Sequence, residues 1–117
     1  MSLSLGAITV DAAHAQQAAT FWARALSYEF AAEPEAGEFV AVIGPKGEPA
    51  MMFIQVPEGK AVKNRMHLDL SADDREVEVA RLVELGATVH STHDEWGITW
   101  TTLLDPEGNE FCVSDSH

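Results

Sequence analysis

The sequence predicts an α+β fold of two βαβββ modules, and three observations predict it. Segments with strand-like alternation and segments with a helix-like apolar stripe follow one another as strand, helix, strand, strand, strand, and that order occurs twice. The two halves match at an offset of about 60 residues, self-similarity of the kind that marks a repeated supersecondary unit. Turns rich in Gly and Pro fall at corresponding places in each half. One domain of 117 residues is expected, with a first module at about 1–57, a linker at 58–63 and a second module at about 64–117.

In the first module, residues 3–10 read as a strand, with Ile8 and Val10 on one face. A helix follows over 15–26, because Ala18, Phe21, Trp22, Ala25 and Leu26 recur at helical spacing as one apolar stripe. Trp22 sits on that stripe and is expected in the core. Strands are predicted over 28–32, 39–43 and 51–56, separated by turns at 33–37 and 44–49. The second module opens with a strand over 66–70. Ser71 or Asp73 is the expected helix cap, since a short polar side chain there accepts a free backbone N–H. The helix runs to Leu85, and Gly86 suits its left-handed closing position. Strands over 87–91 and 98–104, a tight turn at 105–109 and a last strand over 110–113 complete the order. His90 and His93 are placed in a strand-to-loop region. A sheet carrying one helix has one face covered and one left open. Two such units can join as one curved mixed sheet of about eight strands around a concave cavity.

Bulk properties exclude several classes of function. The formal net charge is -12, from 19 acidic and 7 basic residues. Phosphate backbones and anionic bilayers need clustered Lys and Arg, so no nucleic-acid or membrane partner is expected. No apolar run approaches the ~20 residues that span a bilayer. The opening segment lacks a basic region and is too short for a signal peptide. Cys112 is the one cysteine, which allows no internal disulfide and suits a reducing cytoplasm.

The stretch with the most chemistry is 64–70, Asn-Arg-Met-His-Leu-Asp-Leu. Read as a strand, it sets Leu68 and Leu70 on one face and Arg65, His67 and Asp69 on the other. A cation, a titratable imidazole and a carboxylate then stand in a row. His67 is the candidate general base, ligand or hydrogen-bonded cavity residue. Asp69 is two residues along, roughly 7 Å, so a direct bond to His67 depends on rotamers. Arg65 is a candidate anion clamp or an ion-pair partner of Asp69. Trp96 and Trp100 flank Gly97 and are candidate walls of an apolar pocket, with core or dimer interface as the other reading of Trp100. Cys112 reads either as a nucleophile or as a small buried residue.

This pattern resembles the vicinal oxygen chelate superfamily, the glyoxalase/bleomycin-resistance/dioxygenase family, in its short glyoxalase-like branch. The residues that carry the resemblance are Phe21-Trp22 with Leu26, the run 63–70, Leu85-Gly86-Ala87-Thr88, and the run 105–113 from Asp-Pro-Glu-Gly-Asn to Cys112-Val113. The resemblance implies the superfamily's fold and a homodimer. Metal-using members hold an ion with His on the first strand and Glu or Gln on the last strand of each module. Carried over, those positions fall on Ala7, on His67, on Cys112 with Glu110 two residues before it, and on Ile54 or, with a one-residue slip of register, Gln55. Only His67 matches clearly. No cofactor is therefore favoured, and His67 with Glu110 are the residual candidates for a divalent ion. The implied function is a cytoplasmic protein that binds a small molecule in a cavity lined by Arg65, His67, Asp69, Trp96, Trp100, Glu110 and Cys112. The alternative is a lyase, isomerase or dioxygenase that uses His67 as metal ligand or base.

Overall fold

The computed structural model describes residues 3, 5–31, 40–45 and 49–115. The turn expected at 33–37, Phe39, the middle of the turn at 44–49 and His117 lie outside the described residues. The chain divides into two compact units, Met1–Gly59 and Lys60–His117.

The first unit contains β1 (Ala7–Ala12), α1 (Ala15–Leu26), β2 (Glu29–Phe30), β3 (Val40–Gly44) and β4 (Ala50–Gln55). Its sheet runs β1-β4-β3-β2, with β1 and β4 parallel and the other neighbours antiparallel. Most of the expected stripe is what α1 buries: Ala18, Phe21, Trp22 and Ala25 are buried together with Ala15, Trp22 retaining 3% exposure, while Leu26 at the helix end is half-buried. Phe21 and Trp22 meet edge to face at 5.3 Å. Ser27 closes the helix in the left-handed conformation, and its N–H donates to the Ala23 carbonyl. Met51 and Phe53 are buried on the same side of β4, which places Gln55 on that side too. There Gln55 Oε1 accepts the Ala15 N–H at 3.2 Å, satisfying a donor that a helix start leaves free.

The second unit repeats this plan with β5 (Leu68–Ala72), α2 (Arg75–Leu85), β6 (Thr88–Glu95), β7 (Ile98–Leu104) and β8 (Glu110–Asp115), in sheet order β5-β8-β7-β6. Again the first and last strands pair in parallel. Ala12 faces Gln55 in one unit and Ala72 faces Asp115 in the other, so the two registers superpose with an offset of 60. The helix lock is repeated as well. Asp115 Oδ1 accepts the Arg75 N–H at 2.8 Å, and Asp115 Oδ2 receives the Arg75 guanidinium at 3.3 Å. Arg75 also donates to the Thr101 hydroxyl at 2.8 Å, which fixes α2 on the face that buries Leu103, Phe111 and Val113.

The α+β plan of two βαβββ modules holds, with the strands of each module in a four-stranded mixed sheet because each unit closes its own first strand against its own last. Some details are corrected. The helix α2 is capped by Asp74, whose side chain accepts the Val77 N–H at 3.3 Å, not by Ser71 or Asp73. The strand expected at 66–70 begins at Leu68, since the chain before it is drawn toward Glu110 and cannot join the ladder. His93 lies within β6, not in a loop. That strand continues to Glu95 past an irregularity between Val89 and Ser91.

Candidate functional site

Alternation sorts the second sheet into two faces. The α2 side takes Leu68, Leu70, Leu103, Phe111 and Val113. The opposite face takes Asp69, Trp100, Thr102, Glu110, Cys112, Ser91 and His93. One row across that open face reads Ser91, Thr102, Cys112, Asp69, each paired with the next. The adjoining row begins His93, Trp100, Ser114.

The predicted polar row is only partly assembled. His67 Nδ1 lies 3.1 Å from Asp69 Oδ1, so the direct bond forms, with His67 still 45% and Asp69 72% exposed. Arg65 stands in an exposed bend before β5, and among the described residues no hydrogen bond or ion pair joins it to His67 or Asp69. In its place the structure brings in Cys112, which faces Asp69 across the parallel ladder. One donor atom each from His67, Asp69 and Cys112 lie within 4.8 Å of one another. Cys112 is half-buried, and its sulfur is 3.4 Å from the Thr102 hydroxyl. His67, Asp69 and Cys112 are expected to share one cavity face; that Cys112 stands directly beside Asp69 follows from the parallel register, which sequence spacing does not reveal.

Glu110 shares the open face but serves elsewhere. Its Oε2 accepts the Asn64 N–H at 2.7 Å and its Oε1 receives Lys60 Nζ at 3.0 Å. The Asn64 N–H is the main reason its carboxyl sits below the ordinary value of 4.5, with burial opposing and Lys60 reinforcing the shift. Glu110 thus straps the segment before β5 to the start of β8.

Trp96 and Gly97 are the two central residues of the β6–β7 hairpin, between paired Glu95 and Ile98, with φ of 54° and 73°. A two-residue turn with both φ positive matches the sheet's twist, and Asn-Gly is its usual sequence. A tryptophan there is held in a conformation that L side chains disfavour. It is 85% exposed and stacks on Trp100 at 6.1 Å and 11°, while His93 stacks on Trp100 at 5.1 Å. The three rings form an aromatic ladder ending in an open face of Trp96.

Two tandem βαβββ units, each closed by a parallel first and last strand and covered by one helix, define the fold of the glyoxalase/bleomycin resistance/dioxygenase superfamily. Within it, the glyoxalase-like domain model matches residues 7–114, and the chain belongs to that family. A glyoxalase/bleomycin resistance protein/dioxygenase family enzyme from Burkholderia phytofirmans PsJN is 16% identical, with a TM-score of 0.76 over 97% of this chain and 98% of that one. TnmS3, an antibiotic binding protein from Streptomyces sp. CB03234, is 21% identical, with a TM-score of 0.70 over 100% of this chain and 99% of that one. The fosfomycin resistance protein FosX from Mesorhizobium loti is 13% identical, with a TM-score of 0.73 over 100% and 95%. These likenesses are of fold. No curated protein matches the sequence.

The superfamily's four-ligand metal set does not fit these residues. Ala7 has no donor atom, and neither has Ile54, which shares the face opposite α1. Gln55 points to the helix side and binds Ala15. Both oxygens of Glu110 are engaged by the strap.

Proposed function

We propose that the protein binds a small, flat, cationic aromatic molecule on the open face of its second unit, without the superfamily's four-ligand metal set. The observation that carries this reading is Trp96. A ring 85% exposed in a left-handed turn position keeps its apolar surface in water and costs conformational energy for no packing gain beyond Trp100. An aromatic ligand stacked on its free face supplies the missing partner, and an adjacent cation suits an indole surface. Glu95 is on the same face, and the chain as a whole carries -12, so the field also favours a cation. The fold neighbours TnmS3 and FosX, named for antibiotic binding and fosfomycin resistance, make this class of ligand a natural candidate. We place the protein in the cytoplasm as a homodimer, supported by its single free cysteine and its family; light scattering of the purified chain tests the dimer.

The test is a thermal-shift and tryptophan-quenching screen of cationic aromatic drugs and metabolites on the wild-type chain and on Trp96→Asn. Asparagine suits the turn, so the variant keeps the hairpin while removing the platform. Stabilising ligands whose effect disappears in Trp96→Asn support the reading. No stabilisation by any compound, or undiminished stabilisation in the variant, overturns it.

A second reading is favoured by the 3.1 Å contact between His67 and Asp69. A carboxylate that orients an imidazole makes it a directed general base. One solved neighbour is a lactoylglutathione lyase from Agrobacterium tumefaciens. Formation of lactoylglutathione by the wild type and its loss in His67→Ala is the expected result. Equal rates in the two proteins exclude the reading.

A further inference from the structure

We infer that the ligand of the second unit is an aromatic amino-glycoside. A flat nucleus stacks on Trp96 and Trp100, the sugar it carries lies over Ser114 and Ser71, and the sugar's ammonium group meets Asp69. The inference rests on the stacking reading above and names the part of the ligand that the tryptophans leave unassigned.

The open face of this sheet changes character across its width. The rings stand on the β6–β7 side, where His93 and Trp96 both stack on Trp100. On β8 and β5 the outward side chains are Glu110, Cys112, Ser114, Asp69 and Ser71, and none is a hydrocarbon. Trp100 pairs with Ser114 and Ser114 with Ser71, so two hydroxyls continue the row that the indole begins. Ser114 is half-buried and Ser71 exposed, and among the described residues no hydrogen bond engages either hydroxyl. In the next row Asp69 is 72% exposed and engages His67 through Oδ1 alone, which leaves Oδ2 to accept from a cation.

These groups select the appendage. A hydrocarbon laid across Ser114 and Asp69 strips their water and returns no hydrogen bond, which is costly. A sugar hydroxyl both donates and accepts, as a serine hydroxyl does, so a sugar ring can satisfy this row. An ammonium group on that ring gains a charge-assisted bond to the Asp69 carboxylate. The reach also fits. Neighbouring strands stand ~4.8 Å apart, so β5 lies ~10 Å from β7, about the reach of one sugar ring carried on the rim of an aromatic nucleus. Glu95 lies at the opposite end of the ladder, on β6, where an amine would bypass the hydroxyls.

The experiment is a calorimetric titration of the full chain with three probes: proflavine, a flat cation without a sugar; daunorubicin, an aromatic amino-glycoside; and the aglycone of daunorubicin. Daunorubicin should bind about tenfold more tightly than its aglycone, the worth of one charge-assisted bond. That preference should fall at least fivefold in Asp69→Asn, and acetylation of the sugar amine should lower affinity for the wild type to a similar extent. Ser114→Ala should weaken daunorubicin at least twofold. Asp94→Asn, an equal change of charge on the other face of β6, should leave every affinity unchanged. Equal affinity for daunorubicin and its aglycone overturns the inference. So does a preference that survives Asp69→Asn, or one that is lost in Glu95→Gln instead. If proflavine still binds in that event, and Trp96→Asn abolishes its binding, the stacking reading stands without the sugar. If none of the three probes binds, both readings fall.

Discussion

Removal of the Glu110 carboxylate tests whether the strap before β5 is a real element of stability. In Glu110→Ala the Asn64 N–H loses a 2.7 Å bond to a charged acceptor and Lys60 loses its 3.0 Å partner. A hydrogen bond to a charged group contributes ~1.5–3 kcal/mol net. The Glu110 and Lys60 side chains are each only 17% exposed, so desolvation offsets much of their Coulombic attraction and the ion pair adds about 1 kcal/mol. The freed segment regains some backbone entropy, which offsets part of the loss. The net expectation is destabilisation by about 2 kcal/mol at neutral pH. In urea, with a slope near 1.5 kcal/mol per molar, this lowers the midpoint by roughly 1.3 M at unchanged slope. The pH dependence has a definite sign. The folded carboxyl titrates below its unfolded value, so its contribution is full above the ordinary value of 4.5 and is lost as pH falls through the lowered folded value. The gap between wild type and Glu110→Ala must therefore close in acid. A loss under about 0.5 kcal/mol at pH 7, or a gap that stays constant on acidification, would refute the reasoning.

Three further outcomes are expected from urea unfolding. Asp74→Ala removes the side-chain cap of α2 and lowers stability by about 1 kcal/mol, whereas Asp73→Ala, not being the cap, does not incur the capping loss. Gly86→Ala costs about 1–3 kcal/mol. Its Cβ would meet Pro106 at an ordinary 3.6 Å, so the cost comes from φ of 123° and not from crowding. Asp115→Asn removes the charge facing the Arg75 guanidinium, itself only 15% exposed, and lowers stability by about 1–2 kcal/mol.

Much of the fold was legible because it is written in periodicity. The α1 stripe, the 60-residue offset and the Gly86 closure are local patterns, and each appears where it was expected. What escaped depends on which residues meet across strands. Cys112 and Asp69 are 43 positions apart and become neighbours only through the parallel β5–β8 register. The same register assigns Gln55 to the helix side and Ile54 to the open side, an ambiguity that one-residue counting cannot resolve. The row of Arg65, His67 and Asp69 was read as strand alternation, but Glu110 holds Asn64 by its backbone and β5 begins later, leaving Arg65 in a bend. Trp96 was noticed as an aromatic beside a glycine. Its significance lies in a backbone angle that composition does not disclose.

Each unit's sheet is completed by the pairing of the first strand with the last, Ala7 with Ala50 and Leu68 with Phe111, 43 residues apart in both cases. In the strand order of each sheet the first strand stands at one end, with the last strand as its neighbour. On a growing polypeptide, β1 therefore has no ladder to join until β4 has been synthesised, and β5 waits in the same way for β8. Local hairpins such as β6–β7 can close early, but the parallel contact must bear the entropy of a long loop before it gains any bonds. Folding of each unit is then gated by the arrival of its final strand, and a chain arrested before β8 would display β5 as an unpaired edge open to association with other chains.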